Sequence, residues 1–502
     1  MRTKIAAGVV FVIIVCAVPW TVLGIDWRLG ENFNVNIKGD LTYALKVRTQ
    51  NPEPAFVTLG KTTYCSGDAN FAKGDLANNG VISRIEVTAD LKPHFTVFGR
   101  IEPFYDFVYN DDKYDWETRK HAEYNFTDGL EYYLEGRFGR FTSRLGRQIV
   151  QWGESVAPVY APGVNVVSPF FVQKVVSAGW TSRDYQVPTY MLWASYKPSK
   201  TLAFEGVYAP DFDPRYLMPV VGTIASPADI LGFGVDSTMV DDQRPEGFEN
   251  QQQAGGAVRM VFPSLNNFEL GVYYYHYLVR FPKMTTLSEF PPRILVEYPK
   301  IDMVGMSFSQ AIQAYDLDLQ IGGELAYRWN DAIQKDLVNS PFMAEIMGMD
   351  ITPSAGGWER GHTLNWDLNG MRMFFDVLSF TPWTFQLTPL FEFYGGINLD
   401  YSDDKYFSDP QFTAYYSIDV PLITSDMVDN TKLTFEFAAT GDLYPMRSAL
   451  HHFIFKTAAK YGDSWEVLLG YDLVNGNTAQ DPLGTWMFDR DAFTFKLTYH
   501  FI

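Results

Sequence analysis

The chain has 502 residues, enough for several soluble domains or one large barrel. Its 40 basic against 59 acidic residues leave a formal net charge of −19, which argues against a nucleic-acid partner, since that requires a basic face. Aromatic residues make up 16% of the chain, yet the mean hydropathy is only −0.12, so apolar surface is plentiful but dispersed.

Residues 1–24 read as a secretory signal: a basic MRTK, an apolar IAAGVVFVIIVCAV, then TVLG with Val22 and Gly24 as small residues before a cleavage site. An uncleaved anchor is the alternative. Cys16 follows Val15, too large for a lipobox, so no lipoprotein is expected. Cys65 is then the one cysteine of the mature chain, which rules out an intramolecular disulfide. Beyond the signal no run approaches the roughly 18 apolar residues of a membrane helix. Residues 25–502 are therefore expected to form one domain, either soluble and exported or a transmembrane β-barrel.

The mature chain opens with FNVNIKGDLTYALKV. Phe33, Val35, Ile37, Leu41, Tyr43, Leu45 and Val47 fall on one face, and Asn34, Asn36, Lys38, Asp40, Thr42 and Lys46 on the other. A period of two over such a run exceeds the usual strand of about 5–6 residues and suits a tilted strand crossing a bilayer, apolar outward and polar inward. LDLQIGGELAYR, WTFQLTPLFEF, KLTFEF, WEVLLGYDL and the closing FTFKLTYHFI repeat the pattern. An amphipathic last strand with an aromatic near its end resembles the assembly signal of bacterial outer-membrane barrels, although Ile502 follows the final Phe501.

The connections alternate between short and long. Short ones fall near 89–94, 139–143, 196–200, 262–267, 310–316, 379–383 and 460–465. Long ones cover roughly 50–79, 108–129, 151–187, 210–251, 280–299, 330–362, 397–411, 441–449 and 475–488. Tight periplasmic turns facing long outer loops give this rhythm. It predicts an all-β, single antiparallel outer-membrane barrel of about 18 strands. The count falls to 14 or 16 if weak strands near 364–378 and 410–440 merge. Residues 420–430 are long for the short turn due there.

RLGRQIVQWGES (144–155) is the fifth strand running into the third outer loop, 151–187. VYAPGVNVVSPFFVQKVVSAGW is too apolar for external water, and burying one such side chain is worth about 1.5–3 kcal/mol, so the loop is expected to fold into the lumen. Ser168 and Pro169 are read as a helix N-cap and first helical residue, leading into Phe170 and Phe171. Arg147 shares a face with Leu145 and Ile149, which places it near the membrane interface or behind a bulge after Gly146. Arg144 or Arg147 is expected to pair with Glu154. Gly153 would make the bend and Trp152 anchor at the interface. Substrate contact is the second role for this cluster; no base–nucleophile pair points to catalysis.

RLGRQIVQWGES followed by GVNVVSP, with GDANFAKGDLANN upstream, resembles the domain of unknown function 1302 family, as do AGGAVRMVFPSLNNFELGVYYYHYLVRFP and YPKIDMVGMSFSQAIQAYDLDLQIGGELAYRWN. The likeness is clearest over roughly 65–330, and Ser168 stands where the family usually has Asn. It implies an outer-membrane barrel moving lipid-like or other hydrophobic compounds. The implied partners are a periplasmic lipid-binding lipoprotein and an RND/MMPL-type inner-membrane transporter. The resemblance carries over no catalytic residues.

Residues 219–235 and 331–351 are also apolar or amphipathic, with Leu337, Met343, Ile346 and Met347 set to line helices broken at Pro341. They either meet cargo or plug the barrel. Inward faces mix signs (Arg84, Glu86, Asp90; Arg100, Glu102; Glu131, Glu135, Arg137; Lys432, Glu436), so no one-sign selectivity ring is expected. Acidic groups at Asp111, Asp112 and Asp115, at Asp241 and Asp242, and at Asp400, Asp403 and Asp404 lack calcium-loop spacing and read as solvated surface. His451 and His452 are adjacent and point to opposite faces. No cofactor or metal is expected, and outer-membrane lipids are the surrounding partner.

The expected function is an outer-membrane channel for hydrophobic or amphipathic molecules, gated by inward-folded loops. Arg144, Arg147, Trp152, Gly153 and Glu154 would position the loop, and Asn165, Pro169, Phe170 and Phe171 would form the gate. The alternatives are a general diffusion porin for small polar solutes, a lipase-type enzyme using Ser155, His121 or His276, and a structural barrel.

Overall fold

The computed structural model describes residues 25–51, 58–59, 62–63, 70–110, 119–156, 163–212, 223–224, 240–243, 245–280, 282–287, 293–314, 317–334, 357–401, 412–444, 451–475 and 490–501. The signal sequence, Cys65, Ile502 and the helices expected around Pro341 lie outside these residues, as does most of 219–235.

Eighteen antiparallel strands close into a barrel. They are β1 (Phe33–Arg48), β2 (Leu76–Leu91), β3 (Phe95–Ile101), β4 (Glu131–Phe138), β5 (Phe141–Gln148) and β6 (Thr189–Tyr196). Next come β7 (Leu202–Ala209), β8 (Gln253–Phe262), β9 (Phe268–Leu278), β10 (Lys300–Ala314), β11 (Leu317–Gln334) and β12 (Trp358–Arg372). The last six are β13 (Leu390–Asn398), β14 (Phe412–Val428), β15 (Thr431–Tyr444), β16 (His451–Tyr461), β17 (Trp465–Asn475) and β18 (Ala492–Phe501). Closure is made by β1 on β18, in register from Gly39 opposite Phe501 to Arg48 opposite Ala492. The eighteen barrel strands, as described, thus pair all the way round, as a strand fold within a bilayer requires. A short strand, Ile25–Leu29, lies beside the start of β1 and continues the line of β18.

Alternation sorts each strand into two faces. On β9, Val272 and Tyr274 are exposed on the outer surface, while Tyr273, Tyr275 and Tyr277 point inward and are buried. Leu134, Leu145, Leu192, Phe204, Val304, Met306, Leu368, Phe455 and Leu469 continue the exposed apolar belt. Aromatic contacts rim it at both ends. Phe138 packs on Phe95 near the tight turns, and Tyr274 stacks with Trp329 toward the long loops. Such a belt with interfacial aromatics is what an acyl-chain environment selects, and it places the protein in the bacterial outer membrane.

Three connections depart from the expected ones. β14 runs straight through the stretch expected to turn at 420–430 and reverses only at Asp429–Asn430. Pro421 is tolerated because its carbonyl, accepting from Thr388 N, and its missing N–H both face the break at Thr388–Pro389, between the short strand Gln386–Leu387 and the start of β13. β10 and β11 extend to Ala314 and Leu317, so that turn is shorter than the expected 310–316. β11 also continues to Gln334, so 331–334 is strand rather than loop.

Candidate functional site

Leaving β5, the third outer loop turns into the lumen and is held on opposite walls. Its first half is bound by inward side chains of β9 to β13. Gly153 turns at φ +87°, and a Cβ there or at Gly163 would collide with the Glu324 carboxylate of β11. The two glycines therefore open a cradle that this carboxylate fills. Glu324 accepts hydrogen bonds from Ser155 N at 2.7 Å, from Val164 N at 2.8 Å and from Glu154 N. Glu392 of β13 accepts from Val156 N at 2.8 Å and from Ser155 Oγ at 2.9 Å. Asn369 of β12 donates to Glu154 O at 2.8 Å. Arg328 donates to Gly163 O at 2.7 Å, and Arg280, just beyond β9, donates to Val167 O at 2.7 Å.

Apolar packing accompanies these bonds. Trp152 is 1% exposed and lies 5.6 Å from the rings of both Tyr273 and Tyr275, among Val150, Val164, Val166 and Val167. Its Nε1 donates to Glu205 at 3.2 Å. Trp152 is thus a lumen residue and not the interface anchor that its place beside a strand end implied. Asn165 is buried and accepts from Trp152 N at 3.4 Å.

The second half is bound by β1 to β4. Phe170 forms a bridge with Gln186, and Pro169 O accepts from Val187 N. The helix α1 (Val172–Val176) begins later than expected, with Phe171 at its N-cap position and no side-chain cap. Ser168 is not the cap because its hydroxyl bonds Val150 N at 3.0 Å instead. Phe171 packs with Phe71, Tyr109 and Val187 in a second apolar cluster. Lys174 of α1 meets Glu102 at 2.7 Å and sits over the Trp180 ring. Asp184 is enclosed between Arg84 Nε at 2.8 Å and Arg100 Nη2 at 2.5 Å, and Arg183 reaches Glu86 and Glu131. Burial pushes the Asp184 carboxyl up, but the two guanidiniums outweigh it and hold it well below the usual carboxylate range.

The expected pairing of Glu154 with Arg144 or Arg147 does not form. Arg144 stays on the wall, 3.4 Å from Glu135 and stacked 4.1 Å over Trp193. Arg147 sits at the outer end of β5 between Tyr132 and Tyr190, with no register shift after Gly146, and donates to Pro188 O and Asp128 O. That places it at the interface, where carbonyls of the loop ends absorb its charge. Glu154 contributes its backbone to the anchorage. Burial pushes its carboxyl up to about 7, Arg259 opposing and Glu269 and Glu324 adding.

Glu324, Glu392, Asn369, Arg328 and Arg280 carry the anchorage without being singled out by any motif. Inward parity marked Glu324, Arg328 and Glu392 as lumen residues, but a carboxylate binding backbone N–H groups 169 residues away has no sequence signature. Of the acidic loop groups, Asp400 is described at side-chain level. It is exposed and accepts from His362 N and Nδ1, which holds it below its ordinary value. Among the described residues no group of three or more His, Cys, Asp or Glu is placed to hold a metal ion.

Several solved outer-membrane structures are similar over nearly their whole length at very low identity. OccAB1 of Acinetobacter baumannii is 9% identical, covering 93% of this chain and 96% of that one, with a TM-score of 0.47. The outer-membrane channel DcaP of the same organism is 9% identical over 95% and 99%, with a TM-score of 0.40. The anion-selective porin from Comamonas acidovorans is 11% identical over 93% and 99%, also at 0.40. No curated protein matches the chain in sequence. The family model described as "Protein of unknown function (DUF1302)" matches residues 4–501, and the chain belongs to that family.

Proposed function

We propose that this outer-membrane channel passes hydrophobic or amphipathic molecules through a lumen closed at rest by its third loop. The observation that carries the reading is the composition of the closure. Val150, Trp152, Val164, Val166 and Val167 lie on the inward tyrosines of β9, so the constriction is apolar and aromatic. A wall of that kind favours greasy solutes over hydrated ions. The reading includes an export signal at 1–24, checked by sequencing the N-terminus of the mature protein. It also includes handover to a periplasmic lipid-binding lipoprotein and an RND/MMPL-type inner-membrane transporter, checked by site-directed crosslinking at the periplasmic turns.

Planar-bilayer recordings test the closure. Small, intermittent conductance is expected, and a large steady pore would remove the reading. Lipid identified by mass spectrometry in the purified protein supports the cargo class. One feature favours general diffusion of polar solutes instead: β1 and β15 to β18 carry inward pairs such as Lys46–Asp472 at 3.2 Å and Lys496–Glu466 at 2.8 Å. A steady ohmic pore would select that reading.

A further inference from the structure

We infer that Asp184 is a tethered stand-in for the anionic head of the cargo, and that Arg84 and Arg100 are the site it occupies. The inference deepens the proposed function by naming the substrate class: amphipathic oxyanions, with a carboxylate or phosphate head and an apolar tail.

The geometry is that of an anion site already filled. Arg84 stands on β2 and Arg100 on β3, both wall strands and both buried. Wall acids take one edge of each guanidinium: Asp40 lies 2.6 Å from Arg84 Nη1, and Glu102 lies 2.6 Å from Arg100 Nη1. Arg84 Nη2 is taken by Gly179 O at 2.6 Å and Arg100 Nε faces Glu86 at 3.2 Å, while Arg84 Nε and Arg100 Nη2 converge on one carboxylate, each holding a different oxygen. Two guanidiniums, each giving one N–H to a different oxygen, suit any carboxylate or phosphate of similar size.

The occupant is delivered by the loop and not by the wall. Asp184 lies in a single 3-10 turn, Ser182–Tyr185, and accepts from Thr181 N at 2.8 Å, which fixes its aim. A buried ion pair is close to break-even against apolar packing, so this contact is a poor choice for permanent closure and a good one for exchange. Apolar surface for a tail adjoins it. Trp180 packs edge-on against Phe104 at 5.3 Å and lies 5.7 Å from the Arg84 guanidinium. An incoming amphipathic anion can therefore replace Asp184 on the arginines while its tail takes up the aromatic contacts. That removes the Asp184 tie and loosens the second half of the loop, whose Lys174–Glu102 and Arg183–Glu86 and Arg183–Glu131 pairs remain, while the Glu324 cradle still holds the first half.

The test uses the full-length protein in detergent, with 10-bromodecanoate as probe and quenching of Trp180 as the signal; a Trp180→Phe variant supplies the background. The wild type should bind weakly, because the tethered carboxylate competes at high effective concentration. Asp184→Ala should bind about tenfold tighter or more. Asp184→Glu should restore weak binding, and Asp184→Ala combined with Arg84→Gln and Arg100→Gln should abolish it. Decanol should not substitute for decanoate. Heat-modifiable migration on gels confirms that each variant is folded. In the wild type, without any substitution, decanoate should raise channel open probability and decanol should not.

Equal binding of decanol, or no gain in Asp184→Ala, would overturn the site. Competition by inorganic phosphate at matched ionic strength supports the oxyanion chemistry. If phosphate binds Asp184→Ala and decanoate has no advantage over it, the amphipathic class is overturned. Probe binding with no transport across liposomes would sink the proposed function and leave the site standing, so the two failures are distinguishable.

Discussion

Glu324 and Ser155 are 169 positions apart in sequence and 2.7 Å apart at the carboxylate and backbone N–H that join them. The same carboxylate takes Val164 N at 2.8 Å and Glu154 N, so one wall side chain gathers both ends of a loop segment. Glu324→Ala should free the first half of the loop. Each backbone N–H left buried and unpaired costs about 1–3 kcal/mol. The expected outcome is raised leak conductance and protease cleavage within 151–187. At about pH 5.5, where the docked carboxyl is protonated, Glu154→Ala should leave both close to wild type, because the anchoring hydrogen bonds come from its backbone.

Gly153→Ala makes a separate prediction. The position needs φ +87°, and the added methyl would meet Glu324 and Val164. Backbone strain alone is worth about 1–3 kcal/mol. The variant should show the Glu324→Ala leak with the barrel itself intact, read from heat-modifiable gel migration.

Trp152→Ala should be more damaging than any change at Arg144 or Arg147 in the same assay. Removing a fully buried Trp side chain costs about 3–5 kcal/mol. Trp152→Phe keeps the packing on Tyr273 and Tyr275 and loses only the bond to Glu205. Its leak should lie between the wild type and Trp152→Ala.

Glu154 gives the closure a pH dependence. With the loop docked its carboxyl titrates at about 7, against 4.5 for the free side chain. The docked state therefore holds a proton that the solvated loop has lost. Its contribution to docking is fully present below 4.5 and is lost as pH rises through about 7. Leak should be larger at about pH 8 than at about pH 5.5, and Glu154→Gln should flatten the profile. An identical slope in the variant would assign the effect to other groups.

The barrel was legible because its information is local. Alternation along FNVNIKGDLTYALKV and the spacing of turns are properties of neighbouring residues, and they specify both faces of β1 and the strand count. Pro421 obscured β14, since nothing in the sequence says that its missing donor faces the break just ahead of β13. The inward course of the third loop was readable from its apolar composition, but not its partners. Glu154 stood close in sequence to two arginines, yet the arginines were claimed by Glu135, Trp193 and the carbonyls of Pro188 and Asp128. Ser168 looked like a cap because Pro169 follows it; the carbonyl and N–H of Val150, eighteen residues earlier, won its hydroxyl.

The third loop spans from the Glu324 cradle on β11 to the arginines of β2 and β3, on walls far apart around the ring. A hoop of eighteen strands resists stretching well and flattening poorly, because hydrogen-bonded ribbons flex about their long axes. A member fastened at both ends across the opening acts as a strut. Such a strut would take up lateral pressure from the bilayer, and cutting either attachment should let the cross-section turn oval as well as clear a path through it.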